Sequence, residues 1–199
     1  MDKLLIATRN QGKMKEVKEV LNGVNFEILS LNDIKKLDDF EVEENALSYE
    51  GNAIIKAIIY SKKSGFLTIA DDSGLEIDAL GGRPGIHSAR YIEGTDEDRN
   101  KKILEELKEV EEKKRTSRYF CVSAVYNPKT EIVKTFRGIW EGRIADAPRG
   151  NKSFGYAPIF LCPEFDYKKT NAELDPWETV KINHRGRAFG QARGYIKNL

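Results

Sequence analysis

The segment Ala70-Asp71-Asp72-Ser73-Gly74-Leu75 holds the residue types best suited to chemistry. Adjacent carboxylates are hard oxygen ligands of the kind Mg²⁺ takes, an ion that keeps part of its water and binds substrate phosphates. Successive side chains of an extended segment point opposite ways, so only one aspartate need face a ligand. Taken alone, Asp-Asp-Ser-Gly reads equally as an ordinary polar turn. Glu43 and Glu44 could add a second carboxylate, although such residues commonly form a solvated acidic face.

Thr8-Arg9-Asn10-Gln11-Gly12-Lys13 sets a hydroxyl, an amide, a flexible glycine and a cation where a helix begins and presents its first N–H groups. That combination could cradle a triphosphate, although alone it reads more readily as a capped helix start with a surface lysine. It is not a Walker A loop, because Ala7 stands five before Gly12 and Met14 replaces the hydroxyl that would reach magnesium. Near the C-terminus, His184-Arg185 joins an imidazole to a planar guanidinium, a pair able to grip a carbonyl or a phosphate. Phe154-Gly155-Tyr156-Ala157 puts rings beside a glycine that lets backbone come close, as base stacking requires. With two histidines and no CxxC spacing, a zinc site built from several histidines is unavailable and soft-metal chemistry is disfavoured.

These groups must be positioned by elements legible from periodicity. Leu4 to Ala7 and Phe26 to Leu29 read as short strands, and Met14, Val17 and Leu21 recur at helical spacing from Lys13 onward. Ser48 caps a helix over 48–62 that carries Lys56, and Leu67 to Ala70 is a strand that Asp71-Asp72-Ser73-Gly74 is expected to break. The carboxylates then stand at a strand's carboxyl end. Thr95 with Asp98 resembles a capping box opening a helix through Val110. Segments 118–126 and 132–140 read as paired strands, and Ala188, Phe189, Ala192 and Ile196 mark a last helix.

Composition fits this picture. The chain has 199 residues, 40% hydrophobic and 33% charged, which suits one globular domain large enough for two lobes, and the mixture of helices and strands makes it α/β or α+β. A net charge of +1 provides no global field for nucleic acid, so phosphate attraction must be local and the ligand a small anion. Cys121 and Cys162 sit among apolar residues and read as reduced buried thiols. No apolar run approaches the roughly 20 residues of a membrane span, and a cytoplasmic location is expected.

Taken together, the motifs resemble the inosine triphosphate pyrophosphatase family, the Ham1-like non-standard purine NTP pyrophosphatases, over nearly the whole chain. Thr8, Asn10 and Lys13 match a Thr-x-Asn-x-x-Lys phosphate motif, and Asn52-Ala53-x-x-Lys56-Ala57 a helix motif. Ala70 to Leu75 matches the central signature, while Gly81-Gly82-x-Pro84-Gly85, Ser88-Ala89-Arg90-Tyr91 and His184-Arg185 follow in order. The resemblance implies an elongated, two-lobed α/β fold around a mixed sheet with flanking helices and a central nucleotide cleft, usually as a homodimer. It implies Asp72 as proton acceptor and Mg²⁺ ligand, which leaves Asp71 to stabilise the turn, Glu43 as second metal ligand, and Ser73 and Lys56 as substrate contacts. Phe154 would stack on the base, and His184 with Arg185 would read its six-position oxygen. Substrates would be ITP, dITP and XTP.

The chain departs from that pattern at informative places. Ala157 stands where the family has Asp, and Thr179 where it has Lys, both by resemblance in the base and substrate pocket. Asn183 replaces a Ser, and Gly51 and Ala46 stand where Glu and Gly are common. Loss of an Asp and a Lys together leaves neither charge buried alone. Hydrolysis with altered base selection follows as an expectation; the rival reading is a nucleotide-binding protein that has lost catalysis.

Overall fold

The computed structural model describes every residue, Met1–Leu199. Strand β1, Lys3–Ile6, buries Leu4, Leu5 and Ile6 and runs parallel to β2, Glu27–Ser30, on one side and to β3, Leu67–Ile77, on the other. Parallel neighbours need crossover connections, and helices α1, Gln11–Val20, and α2, Tyr49–Ser64, lie in those connections. β4, Thr116–Asn127, β5, Ile132–Ile144, and β6, Phe160–Leu161, complete a sheet of order β2-β1-β3-β4-β5-β6, with β6 antiparallel to β5. The result is the mixed α/β sheet with flanking helices that the sequence implies.

The helix starts obey local rules. Asn10 accepts the Lys13 N–H at 3.0 Å to cap α1, and Ser48 Oγ accepts the Gly51 N–H at 3.1 Å to cap α2. Thr95 and Asp98 form the reciprocal capping box of α3, Asp96–Glu106. That helix stops short of Val110. Leu107 is buried and Val110 packs on the same cluster, but three-residue turns carry the backbone there, with Lys108 N–H bonded to Glu105 O and Val110 N–H to Leu107 O. α4, Pro176–Thr179, and α5, His184–Ile196, follow.

One expectation fails instructively. Asp71-Asp72-Ser73-Gly74 does not break β3; the strand continues through it to Ile77, so the carboxylates are mid-strand rather than terminal. Turn propensity loses because ladder pairing and burial of the flanking Ile69, Ala70, Leu75 and Ile77 favour continuation.

The chain divides into two compact units. The first comprises Met1–Asp72, Cys121–Gly138 and His184–Leu199; the second comprises Ser73–Phe120 and Ile139–Asn183. The first has a core of Leu4, Ile6, Val17, Ile69, Val125 and Phe189, the second one of Leu75, Ile77, Ile103, Trp140, Ile159 and Phe160. Both cysteines are free and buried. No helix is long and apolar enough to cross a membrane.

Candidate active site

The pleat of β3 sends Asp71 and Asp72 to opposite faces, and the first unit treats them differently. Asp71 Oδ2 accepts from Lys13 Nζ at 3.0 Å and lies 3.5 Å from Arg185 Nε. Arg185 also pairs with Glu16, one helical turn from Lys13 on α1. Burial opposes charge on Asp71, but Lys13, Arg185 and Lys56 outweigh it and hold the carboxyl well below the usual range. Asp71 is therefore an ionised member of a buried charge cluster. The assignment to a turn does not stand, because no turn exists at this point of the chain.

Asp72 meets α2. Its Oδ2 accepts from Asn52 Nδ2 at 3.0 Å, and Asn52 Oδ1 in turn accepts the Ala46 N–H at 3.0 Å. Four residues on, along the same helical face, Lys56 Nζ lies 2.8 Å from Glu44 Oε1. Burial pushes the Asp72 carboxyl up; Lys56 and Asn52 pull it back, Glu44 pushes it further, and the net shift is upward. Lys56 is also buried, yet Asp71, Asp72 and Glu44 overcome desolvation and keep it charged. Glu43 is exposed in the same acidic loop.

This arrangement fits a hard cation. A buried carboxylate raised in part by a like-charged neighbour is one whose anion a divalent ion would stabilise. No cluster of three or more His, Cys, Asp or Glu side chains forms a ready cage. Mg²⁺ asks for no cage, since it binds through one or two carboxylates and completes its shell with water and phosphate oxygens.

At the start of α1, Thr8 Oγ1 accepts the Asn10 N–H at 3.2 Å and Asn10 caps the helix, so both side chains shape the loop. Gln11, Gly12 and Lys13 form the first helical turn, where N–H groups and the helix dipole favour an anion. Arg9 turns the other way. Its guanidinium donates to Asn32 Oδ1 at 3.1 Å and to the carbonyls of Leu37 and Phe40, fastening the 31–40 segment.

His184 and Arg185 open α5 against β5 at a point where only glycine fits, since a Cβ on Gly138 would lie 2.0 Å from His184 O. Burial first, and then Arg185, hold the His184 imidazole well below its ordinary value, so it is neutral at pH 7. A neutral imidazole can donate at one nitrogen and accept at the other.

The second unit holds Ser73, Phe154, Gly155, Tyr156, Ala157 and Thr179. Phe154 is 37% exposed, an accessible ring, whereas Tyr156, Ala157 and Thr179 are buried. Thr179 Oγ1 donates to Pro176 O at 3.1 Å, so its hydroxyl is satisfied without a charged partner. Glu16 carries no sequence signal, and Asn52 has only its place in the helix motif. The i, i+4 spacing of Asn52 and Lys56 was the available signal; nothing local marks Glu16.

The chain matches the Ham1 family over residues 4–195. It is 47% identical over 191 residues to the dITP/XTP pyrophosphatase of Bacillus subtilis (strain 168), covering 95% of this chain and 94% of that one. It is 44% identical over 189 residues to the dITP/XTP pyrophosphatase of Symbiobacterium thermophilum, covering 95% and 92% respectively. Among solved structures, a HAM1 protein from Coxiella burnetii superposes with a TM-score of 0.87 at 36% identity over 100% of both chains. Shared sequence along nearly the full length and a shared backbone lead to one conclusion: this chain belongs to the Ham1 family.

Proposed function

We propose that this protein hydrolyses the non-standard purine nucleoside triphosphates ITP, dITP and XTP to the nucleoside monophosphate and pyrophosphate, clearing them from the nucleotide pool. The observation that carries this reading is Asp72, a buried carboxylate with raised proton affinity held between Asn52 and Lys56. Its neighbour Asp71 meanwhile anchors Lys13 of the phosphate cradle. The names of the relatives, dITP/XTP pyrophosphatases, support the substrate class.

In the reaction a water oxygen bonds to the α-phosphorus, the bond from that phosphorus to the bridging oxygen breaks, and pyrophosphate leaves. Asp72 takes the water proton. Its raised affinity makes it a better base than an exposed aspartate. Lys13, Lys56 and the N–H groups of Gln11 and Gly12 offset charge on the phosphates. Asp72, with the acidic loop of Glu43 and Glu44, would hold magnesium, which supplies Lewis-acid neutralisation of phosphate charge. Phe154 and Ser73 contact base and substrate, and His184 with Arg185 reads the six-position oxygen. Adenine presents an amino group there instead of an acceptor for those donors, which disfavours ATP. We read the protein as a cytoplasmic homodimer.

The test measures pyrophosphate release from ITP, dITP, XTP, GTP and ATP with magnesium, using Asp72→Asn as control. A loss of about 10²-fold or more in kcat is expected for the variant. Full activity in Asp72→Asn would remove Asp72 from the chemistry, and nucleotide binding without pyrophosphate release in the unaltered protein would favour a binding protein instead.

A further inference from the structure

Gly155 follows the exposed ring of Phe154 and is gripped from both sides by one face of α3. Its N–H donates to Asp96 Oδ2 at 2.8 Å, and its carbonyl accepts from Asn100 Nδ2 at 3.0 Å. Asp96 and Asn100 are four residues apart, one turn of helix, so both reach the same peptide neighbourhood. Gly155 has φ +64°, the left-handed region that glycine enters without steric cost. A loop residue with both backbone groups tied to a capped helix cannot rotate freely, and the Cα of Phe154 is fixed with it.

The other side of the loop is tied as well. Tyr156 is buried and its hydroxyl donates to Ser88 O at 2.8 Å. Ser88 Oγ accepts the Leu75 N–H at 2.8 Å and donates to Gly85 O at 2.7 Å. A continuous run of hydrogen bonds, all within the second unit, thus joins α3 through the aromatic loop to the strand residues just after Ser73.

We infer that Asp96 and Asn100 are positioning residues for the Phe154 ring: by clamping Gly155 they set the plane on which the substrate's base stacks. The inference rests on the proposed contact between Phe154 and the base. The two oxygens of Asp96 divide their work, Oδ1 pairing with Arg99 at 2.6 Å and Oδ2 holding Gly155. The clamp is therefore separable from the ion pair by substitution. Stacking is made alike in ground and transition states, so its loss raises KM and leaves kcat in place.

The experiment compares kcat and KM for dITP in Asp96→Ala, Asp96→Asn, Asn100→Ala, Phe154→Ala and the double variant Asp96→Ala/Phe154→Ala. Asp96→Ala and Asn100→Ala are each expected to raise KM by roughly five- to tenfold, the worth of one hydrogen bond, with kcat within about twofold of the parent. Asp96→Asn keeps an acceptor for the Gly155 N–H but not the charge for Arg99, and should restore KM. In the Phe154→Ala background, Asp96→Ala should add nothing. The inference is overturned if Asp96→Ala leaves KM unchanged, or raises it equally with and without the ring. Because the Asp96 side chain is 47% exposed, that variant decides the matter even if Asn100→Ala fails to fold. An unchanged KM in Phe154→Ala alone would instead refute the base contact, and the clamp's purpose with it; a raised KM there beside an unchanged one in Asp96→Ala refutes the clamp alone.

Discussion

Asp71 and Asp72 are adjacent in sequence, yet their surroundings drive their proton affinities apart. Asp71 faces Lys13 and Arg185 and stays ionised; its depressed value contributes stability above the ordinary aspartate range that is lost as pH falls through and below it. Asp72 has the opposite sign, since burial and Glu44 raise it, so the ionised form needed for a base is lost at a higher pH than an exposed aspartate would allow. The acid limb of kcat/KM should therefore lie above the ordinary aspartate value. Asn52→Ala removes the donor that favours the Asp72 anion and should move that limb further up, with a loss of roughly three- to tenfold at mildly acidic pH. An unchanged limb would separate Asn52 from the titration. At this scale the sequence singles out Asp72, Lys13 and Lys56 because their motifs are local, and the structure brings both lysines within electrostatic reach of Asp72. Asp71 was misread because its neutralising partners arrive from α1 and α5, far along the chain, and no local pattern announces them.

Elements were legible where their signals are short-range, as with Ser48 before α2 and the Thr95–Asp98 box before α3. The passage of β3 through two aspartates was not, because pairing with neighbouring strands decided it. The start of α2 holds a subtler exchange. A Cβ on Gly51 would lie 2.7 Å from the Ala46 Cβ and 3.2 Å from Ser48 Oγ, so the space a side chain at 51 would use is taken by the one at 46. The two departures noted in the sequence, alanine at 46 and glycine at 51, are thus a compensating pair. Gly51→Ala alone should destabilise by about 1–3 kcal/mol through overpacking, despite alanine's better helix propensity. Combined with Ala46→Gly it should recover most of that loss, and thermal melts of the four-member cycle measure the coupling; additive effects would refute the exchange.

Across the whole molecule, the resemblance made the family and the mixed sheet readable in advance, and the proposal of altered base selection belongs to the places where this chain differs from the pattern. Ala157 and Thr179 are 1% and 2% exposed, and neither carries a charge into the second unit's interior. Restoring only one member, by Ala157→Asp or Thr179→Lys, buries a lone ion and should cost about 3–5 kcal/mol in stability. The double substitution should regain part of that loss and sharpen the preference for ITP over GTP and ATP in pyrophosphate-release assays. Unchanged selectivity would show that these positions do not set it.

The cluster of Lys13, Glu16, Asp71 and Arg185 also bears on when the protein can fold. Three of its members are made early in synthesis, but the guanidinium that balances Asp71 and Glu16 emerges only after the rest of the sheet has been translated, at about 5–20 residues per second. Until then, closing the first unit would strand a carboxylate in a low-dielectric interior, a state that disfavours premature collapse. The first unit, whose segments include both Asp71 and α5, therefore balances its buried carboxylates only with the C-terminal helix in place.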